Sequence, residues 1–514
     1  MKPLIEMNDI SKIYDNGVVA NDHVNFSVNK GEIHALVGEN GAGKTTLMKI
    51  LFGIERPTEG QIIVDGKELH LNSSHDAIAE KIGMVHQNFM LIPSFTVAQN
   101  VVLGSEPVKK GLIDKAEVLR ITKELSEQFG LFVFPDAVVD GINVGMRQRV
   151  EILKMLYRKA EILIMDEPTA VLTPQETQDL FKAIHTLVEQ GKTVIFITHK
   201  LREVKEISDR VTVMRMGKVI GTVDTKDVTK EQIANMMVGR EVFLDIKKPK
   251  ITRGEKRLSV KDLTYVSETG RPVLKGVDFN LYSGEVLGIA GVEGNGQTEL
   301  VEIMTGLREA AGGEITVNGK DIVNKTPRTI RMLKIAHIPE DRLTNGVSVN
   351  SSIKENLVVD RYFKAPMKKG LFIDYSVVDQ STDELIKRFG IKTPNGNLPV
   401  SSLSGGNMQK VVVARELSSE PYVLIASQPT RGIDVGATEF IREQLVVNRT
   451  EGTAVLLVSA DLSEVMSLSD RIITLFEGNV TGVFPDASKV TEEELGAYML
   501  GVKQQTLEEM EKFL

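Results

Sequence analysis

The chain contains no cysteine, which excludes disulfides, thiolate zinc sites and iron–sulfur clusters and suits a reducing compartment. It also lacks any apolar run approaching the roughly eighteen residues that a membrane-spanning helix needs. An excess of basic charge is missing as well. The 62 Lys and Arg residues stand against 70 Asp and Glu, a formal net charge of −8, whereas a chain that lives on nucleic acid usually carries a basic balance or patch. No nucleic-acid partner is expected. The opening Met1-Lys2-Pro3-Leu4-Ile5-Glu6 meets an acidic residue too early for a secretory signal. What remains is a chain of 514 residues, 26% charged and 42% hydrophobic, ordinary values for a folded globular protein.

An internal repeat organises it. Gly38-Glu39-Asn40-Gly41-Ala42-Gly43-Lys44-Thr45 returns 253 residues later as Gly291-Val292-Glu293-Gly294-Asn295-Gly296-Gln297-Thr298, and the same spacing pairs Gln87 with Glu340. After an insertion of about eight residues the spacing becomes 261, which pairs Gly145 with Gly406, Glu167 with Gln428 and His199 with Ala460. Two units follow, 1–246 and 257–514, joined by a short lysine-rich connector, 247–256, containing Pro249 and Gly254. Each is long enough to bury its own core.

Short Ile- and Val-rich runs bounded by turn signals predict buried strands of a largely parallel sheet: Ile33–Val37, Ile162–Met165 and Val194–Thr198, with counterparts Val286–Ile289, Val423–Ala426 and Ala454–Val458. Helical patterns alternate with them. Leu47–Phe52 follows the first glycine-rich loop. Thr173-Pro174-Gln175-Glu176 has a capping-box layout and opens a helix with the apolar face Leu180, Phe181, Ile184, Leu187 and Val188, closed by Gly191. Strands alternating with helices define an α/β fold in two copies.

Gly38–Thr45 fits G-x-x-x-x-G-K-[ST] between a strand and a helix. The glycines let backbone amides wrap phosphates, Lys44 brings a charge to the β- and γ-oxygens, and Thr45 offers a hydroxyl to Mg²⁺, with Thr46 beside it. Ile162–Glu167 is an apolar strand ending in two carboxylates. Asp166 can hold Mg²⁺, and Glu167 can take a proton from an attacking water. Gln87 and His199 lie at predicted strand ends, where a sheet meets its ligand. Gln87 joins Thr45 and Asp166 as a candidate metal ligand, and Tyr14 is a candidate base-stacking residue. Taken singly, an Asp-Glu pair is more often a solvated turn and a tyrosine more often core; order and spacing overturn that for the carboxylates, and for Tyr14 both readings stay open.

Leu403-Ser404-Gly405-Gly406-Asn407-Met408-Gln409 resembles the LSGGQ signature of ATP-binding cassette proteins. The resemblance covers nearly the whole chain in two copies. It implies two tandem P-loop NTPase domains, each with a mainly parallel core sheet, an antiparallel β subdomain and a helical subdomain. It also implies that ATP lies between the phosphate loop of one cassette and the signature of the other. The first unit has Lys44, Gln87, Asp166, Glu167 and His199, but its signature reads Ile142-Asn143-Val144-Gly145-Met146-Arg147. The second unit keeps Ser404, Gly405, Gly406 and Asn407 and a D-loop-like Arg431-Gly432-Ile433-Asp434, while Gln297, Glu340, Ser427, Gln428 and Ala460 replace the catalytic stations. Pairing the halves within one chain gathers every intact part at one interface. One hydrolytic site per chain is therefore expected, the damaged one holding at most a static nucleotide through Gly296, Thr298 and Tyr265.

Two ATPase units without spans imply two separate permease subunits and an extracytoplasmic substrate-binding protein, with this chain peripheral on the cytoplasmic face of the membrane. Met84-Val85-His86-Gln87-Asn88-Phe89-Met90, His337-Ile338-Pro339-Glu340-Asp341-Arg342 and Gln428-Pro429-Thr430-Arg431-Gly432 resemble the nucleoside branch of such importers more than the ribose-type branch. The segments after Gln87 and Glu340 would face the permeases. The insertion falls in the second of these, around Tyr362–Lys369, and suits either an unlike permease or a plain surface loop. Soluble tandem cassettes that act on ribosomes are the competing class. They usually keep both sites competent and carry a long charged helical arm, neither of which is present. A nucleotide sensor without turnover is disfavoured by the intact Glu167.

Overall fold

Buried β-branched runs form the central strands of both halves. The computed structural model describes residues 3–15, 17–86, 89–169, 172, 174–241, 248–292 and 294–511, and the chain divides into Met1–Val242 and Phe243–Leu514. In the first unit the six-stranded sheet runs Lys218–Asp224, Arg210–Arg215, Ile33–Gly38, Thr193–Ile197, Ile162–Asp166, Ile82–Val85, parallel except for its first member. In the second unit Asn479–Phe484, Arg471–Phe476, Val286–Ala290, Ala454–Val458, Val423–Ser427 and Ile335–Ile338 repeat that order.

Both faces of each sheet are covered, as a parallel sheet requires. Leu163, Met165, Val194 and Phe196 meet Leu180, Phe181, Ile184 and Leu187 of the helix Pro174–Glu189. Leu36, Ile162, Ile164 and Ile197 on the other face meet Leu47, Met48 and Leu51 of the helix Lys44–Leu51. That helix starts three residues earlier than its apolar pattern suggests, because the phosphate loop itself supplies its first turn. The capping residue Thr173 lies outside the described residues. The second unit is built alike, with Leu287, Ile289 and Leu456 against Leu300 and Met304, and Leu424, Ala426 and Leu457 against Val411, Ile441 and Leu445.

Each unit adds an antiparallel sheet, centred on Ile5–Ile13 in the first and Lys256–Val266 in the second. Each also adds a group of helices: Val97–Val102, Lys115–Gln128 and Val144–Tyr157, then Ile353–Val358, Tyr375–Arg388 and Gly405–Leu417. Among the described residues no helix is long and apolar enough to cross a membrane. The connector's described part is tied to the second unit. Lys248 donates to the Ser469 carbonyl, Arg449 to the Pro249 carbonyl at 2.9 Å, and the Gly254 amide to the Ser283 carbonyl at 2.9 Å.

Register sets the functional edge. Ile197 lies abreast of both Leu36 and Asp166, so the phosphate loop after Gly38, the carboxylates at 166 and 167, and His199 all emerge at the carboxyl ends of neighbouring strands. In the second unit Val458 lies abreast of Ile289 and Ser427 in the same way.

Candidate functional site

The first phosphate loop is folded around its own lysine. Lys44 is 6% exposed, and its Nζ donates to the carbonyls of Gly38 at 2.8 Å and Glu39 at 3.0 Å. Burial pushes the ammonium below its usual value, partly offset by Glu167, Asp166 and Glu39. The Ala42 amide closes the turn on the Glu39 carbonyl at 3.0 Å. Gly43 holds a φ of 96°, and a Cβ there would stand 2.3 Å from the Ala20 carbonyl. Only glycine serves at that point. Asn21 Nδ2 donates to the Gly43 carbonyl at 3.2 Å, so the neighbouring antiparallel sheet braces the loop.

The two carboxylates are driven apart. Burial and the charge of Glu167 raise the Asp166 carboxyl, against a hydrogen bond from the Thr45 hydroxyl. Burial would raise Glu167 as well, but His199 and the charges of Lys44 and Lys200 hold it below its ordinary range. His199 Nδ1 lies 2.9 Å from Glu167 Oε1. Glu167 is thus held toward its ionised form, suited to receive a proton, and Asp166 with the Thr45 hydroxyl offers the oxygen donors that a hard divalent cation prefers. Glu167 sits in the left-handed region at φ 47° with its amide bound to the Ile197 carbonyl at 3.0 Å.

The structure brings Gly38, Glu39, Asn40, Gly41, Ala42, Gly43, Lys44, Thr45 and Thr46 into one strand–loop–helix turn beside Asp166, Glu167 and His199. Gln87 lies outside the described residues. Tyr14 is half-buried just past the strand Ile5–Ile13 with Lys12 Nζ 5.2 Å above its ring, a contact that gives the ring a structural partner.

In the second unit Ser404 caps the helix Gly405–Leu417, its Oγ accepting from Asn407 Nδ2 at 2.9 Å. Asp434 caps the helix Val435–Thr450, its Oδ1 accepting from the Ala437 amide at 2.7 Å. A Cβ on Gly406 would lie 2.8 Å from Asp434 Oδ2, so signature and D-loop touch. The first unit keeps the helix start without the serine: Asn143 caps Val144–Tyr157, accepting from the Met146 amide at 2.9 Å.

The damaged stations keep their backbone. Gln428 holds φ 46°, and its amide donates to the Val458 carbonyl at 2.7 Å. Its Oε1 accepts from the Ala460 amide at 3.2 Å. Gln297 Nε2 donates to the Val292 carbonyl at 3.2 Å, lying along the loop much as Lys44 does. Tyr265 is buried at 9% exposure, with its hydroxyl accepting from Arg308.

Sequence reasoning passed over one pair of carboxylates. Glu203 accepts from Thr169 Oγ1 at 2.6 Å and Thr198 Oγ1 at 2.9 Å, tying the two functional strand ends together. Glu464 accepts from Thr430 Oγ1 at 2.8 Å and from Arg442 Nε at 3.1 Å. The repeat spacing of 261 links the two, and was the signal available.

A strand–loop–helix phosphate cradle, a strand-end carboxylate pair and a serine-capped signature helix define a nucleotide-hydrolysing cassette. The family model described as ABC transporter matches residues 21–170 and 274–431. The chain belongs to this family and is an ATPase of it. It is 45% identical over 498 residues to the nucleoside import ATP-binding protein NupA of Lactococcus lactis subsp. cremoris, covering 97% of this chain and 98% of that one. It is 46% identical over 504 residues to the guanosine import ATP-binding protein NupO of Bacillus subtilis, covering 98% of each. A glucose import ATP-binding protein of Haloferax volcanii is 43% identical, over 93% of this chain and 92% of its own. Among solved structures, an archaeal ribosome recycling factor in complex with a ribosomal stalk protein matches 98% of this chain and 97% of its own, with a TM-score of 0.63 and 19% identity. That likeness is one of fold alone.

Proposed function

We propose that the chain is the energy-coupling ATPase of an importer that carries nucleosides through two separate permease subunits fed by an extracytoplasmic binding protein, with the chain peripheral on the cytoplasmic face. One composite site does the work, lined by Lys44, Thr45, Asp166, Glu167 and His199 and sealed by Ser404, Gly405, Gly406 and Asn407, with Asp434 beside them. The observation that carries this is the sorting of the stations. All the intact catalytic side chains stand in one unit and the intact signature in the other, a division that independent decay would not produce.

The chemistry follows from the geometry. Loop amides and Lys44 hold the β- and γ-phosphates. Thr45 and Asp166, with Gln87, would hold Mg²⁺, which when bound screens charge on the transferred phosphoryl group. Glu167 accepts a proton from water as the water oxygen bonds to the γ-phosphorus; the bond to the bridging oxygen breaks and ADP leaves. His199 keeps Glu167 ionised and aligned. Until the signature closes over the γ-phosphate the site is incomplete, which couples turnover to motion.

Nucleosides are favoured by the NupA and NupO relatives, and the glucose importer at similar identity keeps sugars as the second reading. The test is reconstitution with the cognate permeases and binding protein, measuring ATPase stimulation by nucleosides, pentoses and hexoses. Stimulation confined to sugars would overturn the nucleoside assignment, and association with ribosomes instead of the membrane pellet would overturn the transporter role. Gln428→Glu alone is expected to leave turnover unchanged, because Gln297 and Ser427 remain. A rate about doubled would show two working sites.

A further inference from the structure

A cavity of about 580 Å³ lies within the second unit, lined among others by Thr298, Glu302, His337, Glu340, Ser427 and Arg431. Its size is that of a small-molecule pocket. Three of these residues are the repeat counterparts of the first unit's candidate metal ligands: Thr298 for Thr45, Glu340 for Gln87, and Ser427 for Asp166. The metal aspartate has become a neutral hydroxyl. The one carboxylate of the three, Glu340, is in an ion pair with Arg431 Nη1. Mg²⁺ is normally bound through one or two carboxylates together with substrate phosphates. Here the carboxylate is engaged by a guanidinium, and a dication brought to it would meet that positive charge. The cavity's two other carboxylates are engaged as well, Glu302 by Arg308 at 2.6 Å and Asp341 by the Leu343 and Thr344 amides and the Thr344 hydroxyl, so the donor set does not fit the metal.

The phosphate cradle nevertheless persists. Gly294 and Gly296 hold φ of 91° and 103°, matching Gly41 and Gly43 at 81° and 96°. The helix Gln297–Thr305 starts at the same point of the loop as its counterpart. His337 adds a buried Nε2 with no hydrogen-bond partner among the described atoms. Burial pushes that ring down to about 4, so it is neutral and contributes a polar atom without charge. Two arginines line the cavity: the Arg342 guanidinium donates to the carbonyls of Arg431 at 2.9 Å and Gly432 at 3.3 Å, and Arg431 carries the planar fork of N–H donors that matches phosphate geometry.

We infer that the second unit binds a nucleoside triphosphate without a divalent cation, Arg431 supplying on its β- and γ-phosphates the positive charge that Mg²⁺ supplies in the first. This rests on the proposed function in one respect, that Gly291–Thr298 is a nucleotide loop. A bound nucleotide here would be held and not hydrolysed, since no carboxylate stands at 428 and no lysine at 297.

The test uses the full chain carrying Lys44→Ala, which silences the first loop, and radiolabelled ATP in equilibrium dialysis with Mg²⁺ or with EDTA. One ATP per chain is expected, with Kd values within about threefold in the two buffers; adding Arg431→Ala is expected to weaken binding about tenfold or more in both, the loss of a charged hydrogen bond. Arg431→Lys, which keeps the charge, should lose less. Binding that vanishes in EDTA, no binding in either buffer, or an Arg431→Ala chain that binds as tightly as its parent would each overturn the inference. Should Arg431→Ala fail to fold, Glu340→Gln decides: removing that carboxylate's hold on the guanidinium should tighten ATP binding in EDTA, and unchanged or weaker binding overturns the inference. Failure of the single-hydrolytic-site reading would show separately, as turnover surviving Glu167→Gln.

Discussion

Glu167→Gln is expected to lower ATP turnover by about 10²–10⁴-fold, the usual contribution of a general base, while leaving ATP affinity nearly unchanged. Glutamine keeps the shape of the side chain and its bond to His199 but cannot receive a proton. Steady-state phosphate release and equilibrium ATP binding in one buffer check it; retention of more than about a tenth of the turnover would remove Glu167 as the base. The same residue fixes a pH dependence. Burial tends to raise the Glu167 carboxyl, yet the His199 hydrogen bond and nearby positive charges carry it below the ordinary 4.5. Activity needs the ionised form, so it is present above that depressed pKa and lost as pH falls through it. The acid limb of kcat/KM in the free enzyme should therefore lie below the ordinary carboxylate range. His199→Ala should move that limb upward, because it removes the largest of the lowering influences.

Ser404→Arg is expected to reduce turnover by about 10²-fold or more, the scale seen when a transition-state donor is lost. The substitution lies in the second unit, whereas every residue proposed to act on the reacting atoms from the phosphate-loop side lies in the first. ATP binding by the first loop should persist, and Asn143→Arg, at the corresponding cap of the first unit, should leave the rate within about twofold. An unchanged rate in Ser404→Arg would show that the units do not pair as proposed.

Much of this architecture was legible in the chain itself, for reasons that are local. Ile33–Val37 and Ile162–Met165 are fully buried strands, and runs so rich in β-branched residues with turn signals on either side have few other fates. The phosphate loop was legible because three glycines and a lysine at fixed spacing serve one purpose. Residues that act across long separations were not. Asn21 reaches Gly43 from another sheet, Glu203 joins two strand ends, and Arg431 meets Glu340 from 91 positions away. None of these has a local pattern that announces its partner, and only Glu203 carried a signal at all, its repeat spacing to Glu464. The bond between the Tyr265 hydroxyl and Arg308 spans 43 positions and was equally hidden.

The left-handed turn at Gln428 carries a last consequence. Such a backbone conformation in a residue other than glycine costs about 1–3 kcal/mol, and the second unit keeps it at φ 46°, almost the value at Glu167. On the proposed function, the scaffold of the second centre has outlived its chemistry, held by strand register and the bond to Val458. Re-arming that half would demand no refolding of it, only new side chains at 297, 340, 427, 428 and 460, with the signature serine and glycine restored in the first unit.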